Sequence, residues 1–281
     1  MFGLLTCLFF AVSSSIDKHM MNQKFPSIST SIFRVLFNGL LLALVGVLFF
    51  HSQFSMTLLM YAMVPSLLFA IGIVVYYRLL ITKKTSELTP IYQSFDILLI
   101  FLCSIFLLQE QPTWYNGLGV LAVLIGVYLV MSENGIARPR LDRTFLPLLL
   151  LLPVDVAYAL ILKTLLGSYE PVPLAVSIYI MSAVMLIAMQ LVSKKEPLPS
   201  FSSLKPRMTT IFGASLFGAT GVYFFYTALS LGEVSKLYPL GGIQCIFVFF
   251  LAMIFLKEKW YWHRLLGTII VVIGIFLITF Q

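Results

Sequence analysis

Ten apolar runs separated by short polar connections fill this sequence: residues 2–17, 28–50, 56–81, 87–108, 112–131, 144–167, 171–192, 208–231, 234–256 and 260–280. Most are close to the ~20 residues that a helix needs to cross the hydrocarbon core of a bilayer. None shows the strict alternation of a membrane barrel strand. In lipid the backbone groups must be satisfied within the segment, so the runs predict helices. The expected fold class is an all-α integral membrane protein with ten transmembrane helices. Composition agrees: 60% of the residues are hydrophobic and 10% charged, where soluble domains carry roughly a quarter charged. No connection is long enough to hold a soluble domain. The first run begins without a basic segment and passes through Ser13, Ser14 and Ser15 into charged residues, so it reads as a span rather than a signal peptide.

The runs are not independent. Residues 109–130, QEQPTWYNGLGVLAVLIGVYLV, return without a gap as 257–278, KEKWYWHRLLGTIIVVIGIFLI, with Glu110 on Glu258, Trp114 on Trp262, Gly119 on Gly267 and Gly126 on Gly274. At offsets of 145 to 146 residues the repeat also pairs Lys18 with Lys163, Pro26 with Pro171, Gly72 with Gly218, Tyr77 with Tyr223 and Tyr92 with Tyr238. The chain is a duplication of a five-span unit, expected as a first repeat over 1–131, a loop over 132–143 and a second repeat over 144–281. An odd number of spans puts the second unit into the membrane upside down, the inverted-repeat plan of secondary transporters. The paired glycines read as helix-packing surfaces.

The net charge of +7 is carried in short loops, not in one stripe, so membrane topology explains it and nucleic acid is not an expected partner. Lys24, Lys83 and Lys84 follow spans one and three; Arg138, Arg140 and Arg143 follow span five; Lys194, Lys195, Lys205 and Arg207 follow span seven. Taken literally, the positive-inside rule places the odd-numbered loops in the cytoplasm and both termini outside, a pattern that supports the inversion and leaves the opposite orientation of the whole open.

Ten spans in two halves, each closed by an acidic turn and a helix with two glycines seven residues apart, resemble the drug/metabolite transporter superfamily and, within it, the EamA-type transporters. IFRVLF at 32–37 and FYTALSLGEVSKLYPL at 225–240 are further points of resemblance, which covers essentially the whole chain. Two departures stand out. Span one lacks the Trp-Gly common in such proteins, and the second half has Tyr179 where the first has Arg34. The resemblance implies transport of a small molecule and leaves the substrate open. Nucleotide-sugar members of the superfamily often carry a lysine near the position of Lys236, which makes Lys236 a candidate anion-binding group, with a snorkelling side chain as the alternative.

Charged and strongly polar groups at membrane depth mark functional sites by default. In span two, Ser27, Ser31, Arg34 and Asn38 form one polar stripe. Arg34 either holds neighbouring carbonyls or an acid, or faces the cavity and binds a carboxylate or phosphate. Span four carries Tyr92, Gln93 and Asp96 on one face, and span six carries Asp155 and Tyr158 behind Pro153, which either breaks the helix and bares its carbonyls to the cavity or only kinks it. Asp96 and Asp155 are the proton-coupling candidates, an ion pair of Asp96 with Arg34 or Arg78 being the alternative. Tyr77, Arg78, Tyr223 and Tyr226 close spans three and eight, as cavity lining or as an interfacial belt. Tyr238 and Gln244 accompany Lys236 in span nine. Asp17 and Lys18 are expected at a solvated span end.

No catalytic constellation is present. His19, His51 and His263 have no partners at metal-ligand spacing, Cys7, Cys103 and Cys245 read as small core residues, and no phosphate-binding loop supports ATP use. No metal or cofactor is expected. The function expected is secondary transport, as exporter or exchanger, of a small polar metabolite such as an amino acid or another zwitterionic or anionic compound. Its setting is a bacterial-style plasma membrane, with membrane lipid as the other partner and the chain a monomer or weak homodimer. A flippase for a lipid-linked substrate and a non-transporting membrane enzyme or assembly subunit are the competing readings.

Overall fold

The structure is a computed structural model, and it describes residues 1–50, 55–82, 85–108, 113–131, 146–193, 205–232, 241–257 and 261–279. Among these residues there are ten α-helices: α1 (Phe2–Asn22), α2 (Ser27–Val45), α3 (Met56–Thr82), α4 (Thr85–Leu108), α5 (Trp114–Met131), α6 (Leu146–Leu166), α7 (Pro171–Ser193), α8 (Met208–Leu231), α9 (Gly241–Phe255) and α10 (Trp262–Thr279). Short π and 3-10 segments, Gly46–Phe50 and Lys205–Arg207, extend α2 and precede α8. By length and composition five helices are apolar enough to cross a membrane, those of α2, α3, α6, α7 and α8 with their flanks, and α5, α9 and α10 contain shorter apolar helices. The loop at 132–143 lies outside the described residues, as do Glu110 and Glu258.

The helices form two five-helix repeats related by inversion, and their contacts are symmetric between the halves. α1 packs on α8 as α6 packs on α3; α2 packs on α8 as α7 packs on α3; α1 packs on α9 as α6 packs on α4. The remaining major pairs, α2 with α7, α4 with α9 and α5 with α10, each join a helix to its own counterpart. Exchanging the halves therefore maps the packing onto itself, which places a pseudo-two-fold axis through the centre of the bundle.

Small residues set the closest approaches. A Cβ placed on Gly126 would lie 2.6 Å from the carbonyl oxygen of Gly267, and one on Gly274 would lie 2.7 Å from that of Gly119. The repeated glycines thus let α5 and α10 touch backbone to backbone, as packing without a hydrophobic driving force in lipid requires. Their other faces, with Leu121, Ile125, Leu266 and Ile273, are exposed. Between α3 and α7 the glue is polar: Ser66 Oγ donates to the Ile178 carbonyl at 3.1 Å, and Ser182 Oγ returns a bond to the Ser66 carbonyl at 3.0 Å.

One expectation is corrected. α1 does not end at residue 17 but runs to Asn22, and Asp17 and Lys18 are each only 6% exposed rather than solvated. Lys18 Nζ donates to the Leu80 carbonyl near the end of α3 at 2.6 Å, so both charges have partners inside the bundle. Its repeat mate Lys163 does the same in the second half, donating to the carbonyls of Leu229 at 2.8 Å and Gly232 at 2.6 Å at the end of α8. Each clasp supplies donors to C-terminal carbonyls that have no partner within their own helix. Of the two readings of Pro153, the break is excluded. α6 continues through it from Leu146 to Leu166, because a neighbouring bundle sustains a helix that has lost one hydrogen bond.

Candidate functional site

The helix crossing leaves a cavity of about 300 Å³ at the centre of the bundle. Ser13 and Asp17 of α1, Arg34 and Asn38 of α2, Gly72 and Tyr76 of α3, Tyr92 and Gln93 of α4, Asp155 of α6, Tyr179 of α7, Gly218 of α8 and Gln244 of α9 all reach it. Its described lining thus draws on eight helices and on neither α5 nor α10, which stand behind as supports. At its lower limit a ligand pocket measures roughly 300 Å³, so the space suits a small molecule.

Arg34 anchors one wall. The polar stripe of α2 turns it inward, where it is 5% exposed. Nε donates to Asp17 Oδ1 at 3.1 Å, Nη1 donates to Asn38 Oδ1 at 2.7 Å, and Nη2 donates to Ser13 Oγ. Tyr77, fully buried, donates its hydroxyl to the same Asp17 oxygen at 2.8 Å. The guanidinium is therefore neutralised and held from three sides, the arrangement in which a buried ion pair is stable. Gly218 makes room for it: a Cβ at that position would fall 2.5 Å from Nη2. At the corresponding place in the first half, Gly72 faces Asp155, with a Cβ 3.5 Å from Oδ1.

Asp155 is the cavity's other acid. Tyr92 donates its hydroxyl to Asp155 Oδ2, and Asp155 makes no ion pair among the described residues. Beside it lies a second cavity of about 160 Å³, lined by Thr6, Cys7, Asp96 and Phe225 among others. Phe10, Tyr92, Gln93 and Gln244 line both spaces, forming a partition closed by the bond from Gln93 Nε2 to Gln244 Oε1 at 3.2 Å. Asp96 Oδ1 is buried in this second space and accepts no hydrogen bond from a described residue.

The candidates from the sequence divide accordingly. Arg34, Tyr92, Gln93, Asp155 and Gln244 meet in the main cavity, and Asp96 is in the adjoining one. Tyr77 is behind the wall on Asp17. Tyr158 and Tyr226 join their hydroxyls at 2.6 Å, and Tyr158 packs on the lining ring of Phe69 at 5.8 Å. Tyr223 is half-buried against Phe224. Arg78 is exposed. Lys236 and Tyr238 lie outside the described residues. Asp17, read from the sequence as a solvated end, is instead the partner of Arg34, and Phe10, Phe69, Tyr76 and Tyr179 bring aromatic rings to the cavity. The serines of α1 and Asn38 at one turn from Arg34 were the available signal for a buried guanidinium.

The halves are unlike where it matters. By the register that pairs Lys18 with Lys163, Asp17 corresponds to Leu162, Arg34 to Tyr179 and Phe10 to Asp155. The ion pair of the first half has an apolar and aromatic counterpart in the second, and Asp155 of the second, unpaired among the described residues, has a phenyl ring as counterpart in the first.

The model of the EamA-like transporter family matches residues 1–132 and 148–280 of the chain. No curated protein matches it. A solved structure described only as "Crystal structure of protein" aligns with a TM-score of 0.70 over 99% of this chain and 94% of its own, at 14% identity, which is a likeness of fold.

Proposed function

This chain belongs to the EamA-like transporter family and is a membrane transporter of small solutes; from that premise we propose that it is a secondary transporter that exports or exchanges one small polar metabolite by alternating access. The repeats, taken as 1–131 and 144–281, rock against each other about the pseudo-two-fold axis, and the substrate sits between them. The observation that carries this is the central cavity, whose described lining comes from four helices of each half and holds Arg34, Asp155, Tyr92, Gln93 and Gln244. A ligand there is gripped by both halves at once, so its binding energy is coupled to their relative position. Asp96, with an unpartnered oxygen in the adjoining space, is the proposed proton site, and Tyr238 the proposed substrate contact at the start of span nine, with the Lys236 side chain snorkelling to the membrane interface. The membrane proposed is a bacterial-style plasma membrane.

The test is counterflow in proteoliposomes. A metabolite that raises the thermal stability of the purified protein is the substrate to load, since a ligand of the folded state stabilises it by mass action. Trans-side substrate should accelerate its flux, Asp155→Asn should abolish that flux, and Asp96→Asn should remove its dependence on a pH gradient. Flux unchanged in both variants rejects this site.

A further inference from the structure

The main cavity also says what charge its occupant carries. We propose that the ligand is an organic monocation, an amine whose ammonium meets Asp155 within a box of aromatic rings; this rests on the transporter reading above and specifies its substrate class.

The guanidinium of Arg34 is the obvious group for an anion, but its charge is already matched by Asp17, and Asn38 and Ser13 take two further donors. Asp155 has no such match: Tyr92 donates to one oxygen, and no described cation pairs with it. With Arg34 and Asp17 cancelling, the charged groups among the described lining residues leave one negative charge, that of Asp155. A carboxylate at membrane depth without a cation is costly, so an arriving ammonium gains what the described residues do not supply, whereas a carboxylate ligand is repelled.

The rest of the lining fits the same guest. Phe10, Phe69, Tyr76, Tyr92 and Tyr179 surround the cavity, and aromatic faces attract a desolvated cation through their quadrupoles. Gly72 keeps the approach to Asp155 open: the nearest side-chain atoms to a Cβ there are Asp155 Oδ1 and Leu151 Cδ1, both at 3.5 Å.

Three probes that share a phenyl ring separate the alternatives: 2-phenylethylamine (cation), phenylalanine (zwitterion) and 3-phenylpropionate (anion), each measured for binding by isothermal calorimetry and thermal shift on the detergent-purified full chain. Phenylethylamine is expected to bind at least about tenfold tighter than phenylalanine, with no binding of phenylpropionate. Loss of the charged partner in Asp155→Asn should weaken the amine about tenfold to a hundredfold, while Asp155→Glu retains it. Equal or tighter binding of phenylalanine or phenylpropionate to the wild type overturns the proposal, as does an unweakened amine in a folded Asp155→Asn protein. The wild-type ranking stands as a test even where the variant does not fold. Amine that binds as expected but is not carried in proteoliposomes removes the transport reading and leaves the cation site; flux of another metabolite with no amine binding does the reverse.

Discussion

The guanidinium of Arg34 on α2 lies against the bare backbone of Gly218 on α8, so close that a methyl group on that glycine would sit 2.5 Å from Nη2 and 2.6 Å from Nη1. Asp17, Asn38 and Ser13 hold the guanidinium from its other sides, and it has no direction in which to yield. Gly218→Ala should therefore destabilise the protein by about 1–3 kcal/mol through overpacking and reduce flux at least tenfold. Gly72→Ala, whose added methyl meets Asp155 and Leu151 at ordinary contact distance, should fold normally. Thermal unfolding in detergent compares the two, and an equal loss for both would refute the assignment.

Breaking the Asp17 and Arg34 pair from one side leaves an uncompensated buried charge. Asp17→Asn or Arg34→Gln alone should lower stability by about 3–5 kcal/mol, and the double variant by clearly less than the sum. Tyr77 also loses its charged acceptor in Asp17→Asn. A double-mutant cycle in chemical unfolding measures the coupling; strict additivity would show that the two do not act as a pair.

The lysine clasps of the two halves should contribute unequally. Lys18 is buried and Lys163 half-buried, so Lys18→Met should cost about 1–3 kcal/mol and Lys163→Met less, because water can replace part of its bonding. Amide hydrogen exchange at the ends of α3 and α8 reads each clasp separately, with faster exchange expected only in the half that lost its lysine.

Gln244→Ala removes the amide that closes the partition with Gln93. The two cavities, about 300 and 160 Å³, should then communicate, and the transporter should accept longer homologues of its substrate with a KM closer to that of the substrate itself. A substrate range identical to the wild type would mean that the partition does not limit ligand size.

The supports should be separable from the site. Gly126→Leu forces α5 away from α10, since even a Cβ would lie 2.6 Å from the Gly267 carbonyl oxygen, and should reduce the yield of folded protein. Ligand affinity of the protein that does fold should change less than twofold, which equilibrium binding can verify.

Much of this architecture was legible in one dimension. Hydrophobic runs, a repeat and glycines spaced to one helix face are local patterns, and lipid forces a local answer upon them because every backbone group must be satisfied within its own helix. The acids of α4 and α6 were also visible, since a lone carboxylate in an apolar run stands out against its neighbours. Asp17 was not. A charge at the end of an apolar window looks solvated, and only its partner seventeen residues later, brought alongside by the turn between α1 and α2, makes burial affordable. Pro153 left a break and a kink open for the related reason that packing around a helix can override its local breaker.

The sequence alone thus determined a membrane protein of ten spans built by inverted duplication, with its glycine-paired supports, because these follow from span length, parity and residue size. The tertiary structure decided which charges cancel. Arg34 could have faced a substrate, but Asp17 takes it, and Asp155 is left with a tyrosine and, among the described residues, no cation. Electrostatic character belongs to the distances between helices, and no single helix carries that information.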